Sequence, residues 1–573
     1  MMPAHETYDV IVIGAGAGGM AAAAVAAAQG LRVLVIEKTA FVGGTTAWSA
    51  GMVWIPANAK MKAAGLSDSV ADAVQYLSST VPEPANAGLR AAFLARGPEA
   101  IAYLEANTEV RLQPVKACPD CYPERLGATA GGRVLEPVGF DGTRLGAAFA
   151  RLRPPLPEFM LFGGMMVNPL DVPHLRSVGK SLRSTMRAAR LVSRYALQRL
   201  RSSRGTSLHL GNALAAQLYA SLLARQVEVL FSADVEDLSL QGDRVSGVVI
   251  RHGSRDRPIA ARRGVVLATG GFSHDASLRK RFFPAAAGFV SATNTSGTGG
   301  GLRLAATTGA ALNADATSPA YWVPSSLFRR DDGSRGVFPH IVTDRAKPGV
   351  IAVNAAGRRF VNEALSHHEF VLAMLRHGNG EPFYLICDRR FLWAYGLGRI
   401  KPFTRSYRRY VVSGELVEAP DVAQLAARIG VKPPVLTATI ASYNEGAKEG
   451  RDGEFGRGST IYQRRLGDIS HKPNPCVAPI LRAPFFAMRI HPADLGTAIG
   501  MRVDPQARVL REDGTPIAGL YACGNDMGSI MNGNYPAPGI TLGPALTFGY
   551  IAGRHLAEGS VARETAASLL ASV

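Results

Sequence analysis

Apolar and polar positions near the start of the chain follow one another in the order of a strand, a helix and a second strand. Val10 to Ile13 is a short β-branched run, which predicts a buried parallel strand. Gly18 to Gln29 is rich in alanine and predicts a helix that ends at Gly30. Arg32 to Ile36 is a second apolar run. The pattern therefore indicates a β-α-β unit.

Glycines fill the turn between the first strand and the helix. Gly14, Gly16 and Gly19 have the spacing G-x-G-x-x-G, and Gly18 lies among them. Such a turn lets the backbone approach a pyrophosphate, which the free N–H groups and the dipole of the helix bind. Glu37 ends the second strand, where a carboxylate accepts hydrogen bonds from a ribose. Because no arginine stands there to receive a 2′-phosphate, the unit predicts FAD or NAD.

A loop of small and hydroxyl-bearing residues follows, from Phe41 to Pro56. Backbone and hydroxyl groups suit close approach to a large planar ligand and its phosphates. The candidate contacts are Lys38, Gly43, Gly44, Thr45, Thr46, Ser49 and Gly51. In this loop the chain resembles the fumarate reductase and 3-ketosteroid dehydrogenase flavoproteins. The resemblance implies FAD, and non-covalent binding is expected because the loop from Gly43 to Gly51 contains neither histidine nor cysteine.

The chain is long enough for two domains, since 573 residues exceed what one hydrophobic core normally serves. We expect an α/β fold in which a Rossmann-like FAD-binding domain of the glutathione-reductase type carries an inserted α+β domain. Residues 1–292 and 487–573 are assigned to the FAD-binding domain, and residues 293–486 to the substrate or capping domain. Small, flexible residues from Ser291 to Gly301 mark the first boundary.

Cysteine content and hydropathy indicate a cytoplasmic protein. Five cysteines are too few and too irregular for a disulfide framework. Cys118 and Cys121 form a C-P-D-C pair, interpreted as a loop beside the substrate pocket, with zinc or redox chemistry as alternatives. No second pair supplies zinc ligands, and no metal is expected. No apolar run reaches the roughly 18 residues of a membrane span, and the first residues lack a signal-peptide pattern.

The net charge of +18 is concentrated in an insertion at about residues 150–205. No acidic residue occurs between Val172 and Val227. Six cations at alternating steps of four and three share one helical face: Arg176, Lys180, Arg183, Arg187, Arg190 and Arg194. One interpretation is a solvated helix face, and the other is peripheral contact of residues 172–204 with an anionic membrane. No aromatic interleaving or recognition motif favours nucleic acid.

The stretch from Val353 to Phe370, VNAAGRRFVNEALSHHEF, resembles the same two flavoprotein subfamilies. The informative position lies four residues after Glu363. There the resemblance implies an arginine proton donor in fumarate reductases and a tyrosine base in ketosteroid dehydrogenases. This chain has His367, followed by His368. Histidine accepts a proton near neutral pH without the large pKa depression that tyrosine would need, so His367 is the candidate base.

The carboxyl-terminal stretch from Asn532 to Ala557 resembles the ketosteroid dehydrogenases specifically. Tyr535 and Gly539 match the residues that hold the substrate's ketone oxygen in that family. The helix beginning near Gly543 is expected to direct its positive end to the flavin. Further candidate flavin contacts lie at this helix start and at glycine turns after predicted strands: Gly270, Gly524, Asn525, Thr541, Leu542 and Gly543.

Together these parts imply dehydrogenation of a cyclic ketone, with 1,2-desaturation of a 3-ketosteroid as the first hypothesis. Tyr535 and Gly539 would stabilise the enolate by about 3 kcal/mol per well-placed donor. His367 would take the α-proton, and the β-hydrogen would leave as hydride to flavin N5. An electron acceptor that the sequence does not identify would reoxidise the flavin. Tyr122 is the candidate assistant of the base, although Cys121 occupies the family's tyrosine slot.

Three alternatives remain. One is 4(5)-dehydrogenation of a 3-ketosteroid. A second is an enoate reductase of the fumarate type, which would need an arginine at position 367 and a His-x-Thr element, whereas Leu495 stands two residues before Thr497. The third is a flavin-binding electron carrier without catalysis. Tyr122 and His491 are the further candidates for the base.

Overall fold

The computed structural model describes residues 6–81, 86–252, 255–285, 288–341, 344–377 and 382–571. Its strands are β1 (Glu6–Ile13), β2 (Val33–Glu37), β3 (Val53–Trp54), β4 (Leu112–Pro114), β5 (Val134–Pro137), β6 (Phe140–Asp141), β7 (Ser207–Leu208), β8 (Glu228–Phe231), β9 (Asp234–Gln241), β10 (Arg244–His252), β11 (Arg255–Leu267), β12 (Ala320–Arg329), β13 (Arg335–Pro339), β14 (Val350–Val353), β15 (Phe383–Asp388), β16 (Val417–Ala419), β17 (Phe485–Thr497), β18 (Arg508–Leu510) and β19 (Pro516–Ala522).

The α-helices are α1 (Ala17–Ala28), α2 (Ala59–Ala63), α3 (Val70–Thr80), α4 (Ala87–Asn107), α5 (Val172–Arg176), α6 (Leu182–Arg199), α7 (Leu210–Ala224), α8 (Ala276–Phe282), α9 (Gly300–Ala306), α10 (His367–His377), α11 (Arg389–Tyr395), α12 (Arg408–Val412), α13 (Val422–Arg428), α14 (Pro433–Ala447), α15 (Ile461–Leu466) and α16 (Leu542–Ala571).

The glycine-rich unit lies at the centre of an eight-stranded sheet. The strand order is β18-β19-β11-β1-β2-β8, and β10 and β9 extend from β11 as an antiparallel pair. The β1 strand pairs in parallel with β2 and with β11. Its apolar side chains are buried, and α1 packs against α16 across the same core. The predicted strand, helix and second strand are therefore present; the helix and second strand lie within one residue of their expected bounds, and β1 begins four residues earlier than expected.

Two glycines make close packing of this unit possible. Gly14 has φ +106°, and a Cβ there would lie 2.3 Å from the carbonyl oxygen of Ala268. A Cβ at Gly19 would lie 2.1 Å from the carbonyl oxygen of Gly14. A larger residue at Gly14 would push the turn away from the end of β11, and one at Gly19 would push α1 away from the turn.

A six-stranded antiparallel sheet forms the core of the central segment. Its order is β13-β12-β17-β15-β14, with β16 also paired to β17. The expected boundary at residue 487 falls inside β17, which pairs with β12, β15 and β16 of the capping sheet. Because a strand belongs with its partners, we propose that the second part of the FAD-binding domain begins after Thr497.

Residues 150–205, which we call the strap, run between the two domains. On the nucleotide side, the Trp48 indole N–H donates to the carbonyl of Pro154 at 3.0 Å. On the capping side, Arg330 pairs with Glu158 at 3.0 Å. Four of the six cations, Arg183, Arg187, Arg190 and Arg194, lie on α6. Arg176 ends α5 and Lys180 lies in the turn between the two helices, so the prediction of one helical face for all six is wrong. Among the helices of the described residues, none has the length and apolar character needed to cross a bilayer.

Candidate active site

The turn between β1 and α1 leaves an open cradle on one side. A Cβ at Gly16 would meet no atom within 4 Å, and one at Gly44 would approach Gly16 Cα at 3.7 Å. Glu37 is buried at the end of β2, where its carboxylate accepts hydrogen bonds from the N–H groups of Ala15 (3.0 Å) and Thr39 (2.9 Å). Glu37 therefore fixes the glycine turn, and each of its oxygens retains capacity to accept a further hydrogen bond.

Hydroxyl groups of the loop after β2 also meet this turn. The Ala17 N–H, at the start of α1, donates to Thr46 Oγ1 at 3.2 Å. Thr45 Oγ1 accepts from the Asn294 N–H at 3.2 Å. Lys38 is half-buried, and burial lowers the pKa of its ammonium group. The loop thus places the Thr46 hydroxyl at the helix terminus, and the Lys38 ammonium group donates to Thr298 Oγ1 at 2.7 Å.

Other predicted contacts in this loop have packing roles. A Cβ at Gly51 would lie 2.6 Å from the Gly211 nitrogen, and one at Gly43 would lie 2.9 Å from Ala47 Cβ. The Ser49 hydroxyl donates within the loop at 2.8 Å. On the other side of α1, a Cβ at Gly18 would lie 3.1 Å from a cysteine sulfur. These residues therefore allow close packing of the loop and of α1 against neighbouring segments.

A cavity at the carboxyl ends of β17 and β19 is lined by several of the predicted flavin contacts from the carboxyl-terminal part of the chain. It is lined by Tyr321, Thr497, Gly524, Asn525, Met527, Gly528, Ser529, Ile530, Ile540, Thr541 and Pro544. Gly270 and Gly524 both have positive φ and would have no atom within 4 Å of a Cβ. Leu542 begins α16 here, whereas Gly543 packs on Trp54, whose carbonyl oxygen would lie 2.3 Å from its Cβ.

The site contains a buried acid that the sequence analysis missed. Asp526 accepts hydrogen bonds from the N–H groups of Thr269 (2.5 Å) and Gly271 (2.9 Å). It thereby holds the glycine turn after β11 against the turn after β19. A signal was available, since an acid directly follows Gly524 and Asn525 at the end of a predicted buried strand.

The residues present fit FAD. The Gly16 cradle is a space that a side chain would fill, and Gly16 is the residue that caps the amino-terminal end of α1, where a helix binds phosphate. In the second cavity, the Thr497 hydroxyl is buried without a hydrogen-bond partner among the described residues. A buried hydroxyl of this kind is expected to meet a polar ligand.

Tyr535 and Gly539 lie together, as predicted, in the loop before α16. Gly539 has φ +94°, and its carbonyl accepts a hydrogen bond from the Trp54 N–H at 3.1 Å. Burial raises the pKa of the Tyr535 phenol, and a hydrogen bond from the Gly539 backbone opposes that rise. Tyr535 therefore stays protonated at neutral pH and remains a donor.

His367 begins α10 and packs edge-on against Tyr535, with ring centroids 4.5 Å apart. Its Nδ1 lies 2.7 Å from the carbonyl oxygen of Trp322. A carbonyl can only accept, so Nδ1 carries the proton and Nε2 is the basic atom. Burial lowers the pKa of His367 to about 4; the Trp322 bond opposes this shift and the Arg345 charge adds to it. The expectation of a near-normal histidine pKa is therefore wrong.

His368 lies beside the same tyrosine. Its ring stacks on that of Tyr535 with centroids 6.0 Å apart. Its Nδ1 accepts a hydrogen bond from the Trp322 N–H at 3.2 Å. Burial, followed by the proximity of His367, lowers the pKa of His368 to about 3. Both imidazoles are therefore neutral at pH 7.

The C-P-D-C loop forms one wall of this region. Asp120 is fully buried between Arg133 (2.8 Å) and the Trp54 indole N–H (2.9 Å). The next residue, Cys121, donates its N–H to the carbonyl of Pro536 at 2.9 Å, directly after Tyr535. Burial raises the pKa of the Cys121 thiol well above its usual value. The loop therefore supports the tyrosine.

Tyr122 contacts the helix that carries the candidate base. Its hydroxyl donates to the Glu369 carboxylate at 2.7 Å, so it links the C-P-D-C loop to α10. His491 lies on β17 opposite Ser325, three residues along β12 from Trp322. Across the described ranges, no cluster of three or more His, Cys, Asp or Glu side chains has a metal-binding arrangement.

The Asn-Glu motif of the capping domain has a structural explanation. Glu363 is fully buried and pairs with Arg359 at 2.8 Å and with Arg457 at 3.1 Å. Arg345, also fully buried, donates to the carbonyls of Glu363 (2.6 Å) and His340 (3.0 Å). This network fixes the segment that leads into α10, and hence the start of the helix that carries His367.

The fold and the site together define a flavin-dependent oxidoreductase. A family model described as an FAD binding domain matches residues 9–542, and the chain belongs to this family. The α/β fold, the FAD cofactor and the assignment to oxidoreductases that act on CH–CH groups are confirmed.

The chain is 39% identical to the 4-oxocyclohex-2-ene-1-carboxylate 5-dehydrogenase of Sinomonas cyclohexanicum, covering 97% of this chain and 95% of the relative. It is 35% identical to the 3-oxosteroid 1-dehydrogenase of Mycobacterium tuberculosis, covering 96% and 99%. The crystal structure of 3-ketosteroid delta1-dehydrogenase from Sterolibacterium denitrificans with 1,4-androstadiene-3,17-dione is similar, with a TM-score of 0.90, 36% identity and coverage of 97% and 100%. The resemblance to the ketosteroid dehydrogenases is confirmed.

Proposed function

We propose that the protein removes two hydrogens from adjacent carbons of a cyclic ketone, and that the substrate is a 3-ketosteroid desaturated between C1 and C2. The observation that carries this proposal is the contact between His367 and Tyr535, at 4.5 Å between ring centroids. It brings a protonated phenol and an imidazole with a basic Nε2 into contact. The named 3-oxosteroid 1-dehydrogenase relatives support the substrate class.

Tyr535 and Gly539 are the proposed donors to the ketone oxygen. A ketone makes the neighbouring C–H acidic because the charge of the enolate moves to oxygen. Each well-placed donor to that oxygen lowers the barrier by about 3 kcal/mol. Tyr535 suits this role because burial keeps its hydroxyl protonated.

His367 is the proposed base, acting through Nε2. A neutral imidazole needs no prior ionisation at pH 7, whereas a phenol with a pKa of about 10 does. Once protonated, the buried imidazole beside Arg345 loses its proton readily, because its pKa is about 4. FAD, when bound, supplies the acceptor for the hydride equivalent.

The capping domain argues for an uncharged substrate. A carboxylate in this pocket would need a cation, and Arg345 is the guanidinium that affects His367. Arg345 is fully buried, however, and donates to the carbonyls of His340 and Glu363. The 39% identical relative named for a 4-oxocyclohexene carboxylate makes an oxo-acid the second candidate substrate.

Anaerobic mixing of the purified holoprotein with each ketone tests both candidates. We expect 4-androstene-3,17-dione to bleach the flavin and to yield 1,4-androstadiene-3,17-dione by mass spectrometry. Bleaching by 4-oxocyclohex-2-ene-1-carboxylate alone would assign the second candidate. Absence of bleaching with either ketone would reject the proposal, and a product desaturated elsewhere would correct the bond.

We also propose peripheral attachment of the strap to an anionic membrane surface. The α6 helix buries Ser184, Ala188 and Tyr195, and it exposes an apolar stripe on its opposite side. Leu182 is 79% exposed and Leu197 is 66% exposed in that stripe. Exposed cations flank it, an arrangement that suits insertion at a lipid headgroup boundary.

A further inference from the structure

We propose that His368 is a positioning residue, which uses the peptide groups of Trp322 to orient the neighbouring His367. The inference rests on the proposed function, because it takes His367 as the base. It concerns the tautomer and orientation of that base, which can be measured separately from turnover.

The starting point is the edge of the capping sheet. The β12 strand pairs with β17 from Ala320 to Ser325, whereas β13 covers its other edge only from Ser325 onwards. Trp322, which is fully buried, therefore lies where one edge of β12 has no strand partner. Unpaired backbone groups at such a place are costly in a buried sheet.

The two histidines satisfy that edge. The N–H and C=O of one residue in a strand point to the same side. Here the Trp322 carbonyl accepts from His367 Nδ1 at 2.7 Å, and the Trp322 N–H donates to His368 Nδ1 at 3.2 Å. We call this arrangement the Trp322 clamp. It takes the place of a neighbouring strand.

The clamp gives the two rings opposite tautomers. A carbonyl requires a proton on Nδ1 of His367, which leaves Nε2 as its acceptor. A peptide N–H requires an unprotonated Nδ1 on His368, which places that proton on Nε2. If His368 gave up the Trp322 N–H, the strand edge would lose one of its two anchors and the carbonyl that orients His367 would be free to shift.

His368 also supports the proposed oxyanion donor. Its ring stacks on Tyr535 with an interplanar angle of 21°, while His367 meets the same ring at 67°. Tyr535 is therefore held against both histidines. A change at His368 acts on base and donor through separate contacts, the Trp322 bond and the ring stack, and variants can separate the two.

Two variants of His368 each remove one of the two contacts and keep the other. His368→Asn places an amide oxygen near the Nδ1 position, so it keeps the acceptor for the Trp322 N–H and loses the ring. His368→Phe keeps a ring and loses the acceptor. His377→Asn, an exposed residue at the other end of α10, is the matched control.

The first measurement is the side-chain ¹⁵N spectrum of histidine-labelled holoprotein, with signals assigned by their loss in the single variants. We expect His367 as the Nδ1–H tautomer and His368 as the Nε2–H tautomer in the parent. His367 should keep its tautomer in His368→Asn and become a mixture in His368→Phe. A parent His367 with its proton on Nε2 would overturn the clamp.

The second measurement is anaerobic flavin reduction by the steroid ketone, with thermal midpoints recorded for each protein. We expect His368→Phe to lower the rate about 10- to 100-fold, since small misplacement of a reacting group has effects of this size. His377→Asn should stay near the parent, and His368→Asn, which keeps the acceptor, should lose less rate than His368→Phe. Equal losses in both His368 variants would assign the effect to the ring and overturn the proposal. If His367→Ala kept the parental rate, the proposed function would fail while the tautomer result stood.

Discussion

Burial sets the chemistry of single residues in this site. His367 and Tyr535 are both buried, and burial shifts their pKa values in opposite directions, down for the imidazole and up for the phenol. Each group is thereby kept neutral over a wide pH range. The proposed base needs no proton removed before it acts, and the proposed donor keeps its proton throughout.

This leads to a prediction about pH. Flavin reduction should be nearly constant from pH 8 down to about 5.5 and should fall as pH approaches the His367 pKa of about 4. His367→Ala should lower the rate strongly and remove that acid limb. Tyr535→Phe should lower the rate about 100- to 1,000-fold and leave the limb in place.

Stopped-flow absorbance under anaerobic conditions measures these rates. A parent that loses activity near pH 6.5 would show that the bound cofactor and substrate restore an ordinary histidine pKa. A parental profile in His367→Ala would transfer attention to Tyr122 and His491.

At this scale the sequence supports some positions better than others. Tyr535, Gly539 and His367 lie close together in the structure. They could be predicted because each belongs to a short sequence motif. Trp322 and Asp526 could not be found in that way. Trp322 acts through backbone groups, which carry no sequence signal, and Asp526 matters because its partners lie on β11, far away in the chain.

Among the elements, α6 departs most from an ordinary surface helix. Its packing side is narrow and its exposed side holds both the cations and the apolar stripe. The sequence periodicity predicted a helix with its cations on one face, which holds for the four cations of α6 and fails for Arg176 and Lys180. It could not show which side packs, because the partners of α6, such as Phe162, Asp171 and His174, lie in irregular parts and a short helix of the same insertion, whose arrangement the periodicity does not reveal.

Membrane binding through α6 can be tested with charge variants. Arg187 pairs with Asp171 at 2.8 Å, so it is better left intact. Replacing Arg183, Arg190 and Arg194 by Gln should weaken binding to anionic vesicles by roughly 100-fold, since each charge near such a surface contributes about 1 kcal/mol. Sedimentation with phosphatidylserine vesicles measures this.

The matched control removes three exposed charges from other elements, with Lys280, Lys432 and Lys448 changed to Gln. This protein should bind vesicles almost as the parent does. Equal loss in both triple variants would reduce the effect to net charge, and unchanged binding in the first would leave α6 as a solvated helix.

The whole molecule carries several histidines that are neutral only because it is folded. Burial lowers the pKa of His367 and of His491 to about 4 and that of His368 to about 3. In the unfolded chain these groups bind protons below about pH 6.5. The unfolded state therefore takes up more protons than the folded state as pH falls through that window, and stability falls with it.

We predict that the free energy of unfolding decreases between pH 6.5 and 4.5 by about 2 to 3 kcal/mol for each such histidine. Urea titrations of the holoprotein at several pH values measure the change. His491→Asn should have a shallower pH dependence than the parent, and the exposed His377→Asn should match the parent. A parent whose unfolding free energy is flat across this window would contradict the burial of these rings as neutral groups.

The β17 strand has a practical consequence for anyone who recombines this chain with a relative. Along most of its length it pairs with strands of the capping sheet, yet Thr497 at its end lines the flavin cavity. A crossover placed inside residues 485–497 would join one parent's cap to the other parent's cofactor wall. Chimeras should therefore take the whole of this strand and β12 from the same parent. The capping domain cannot be exchanged separately from the cofactor site.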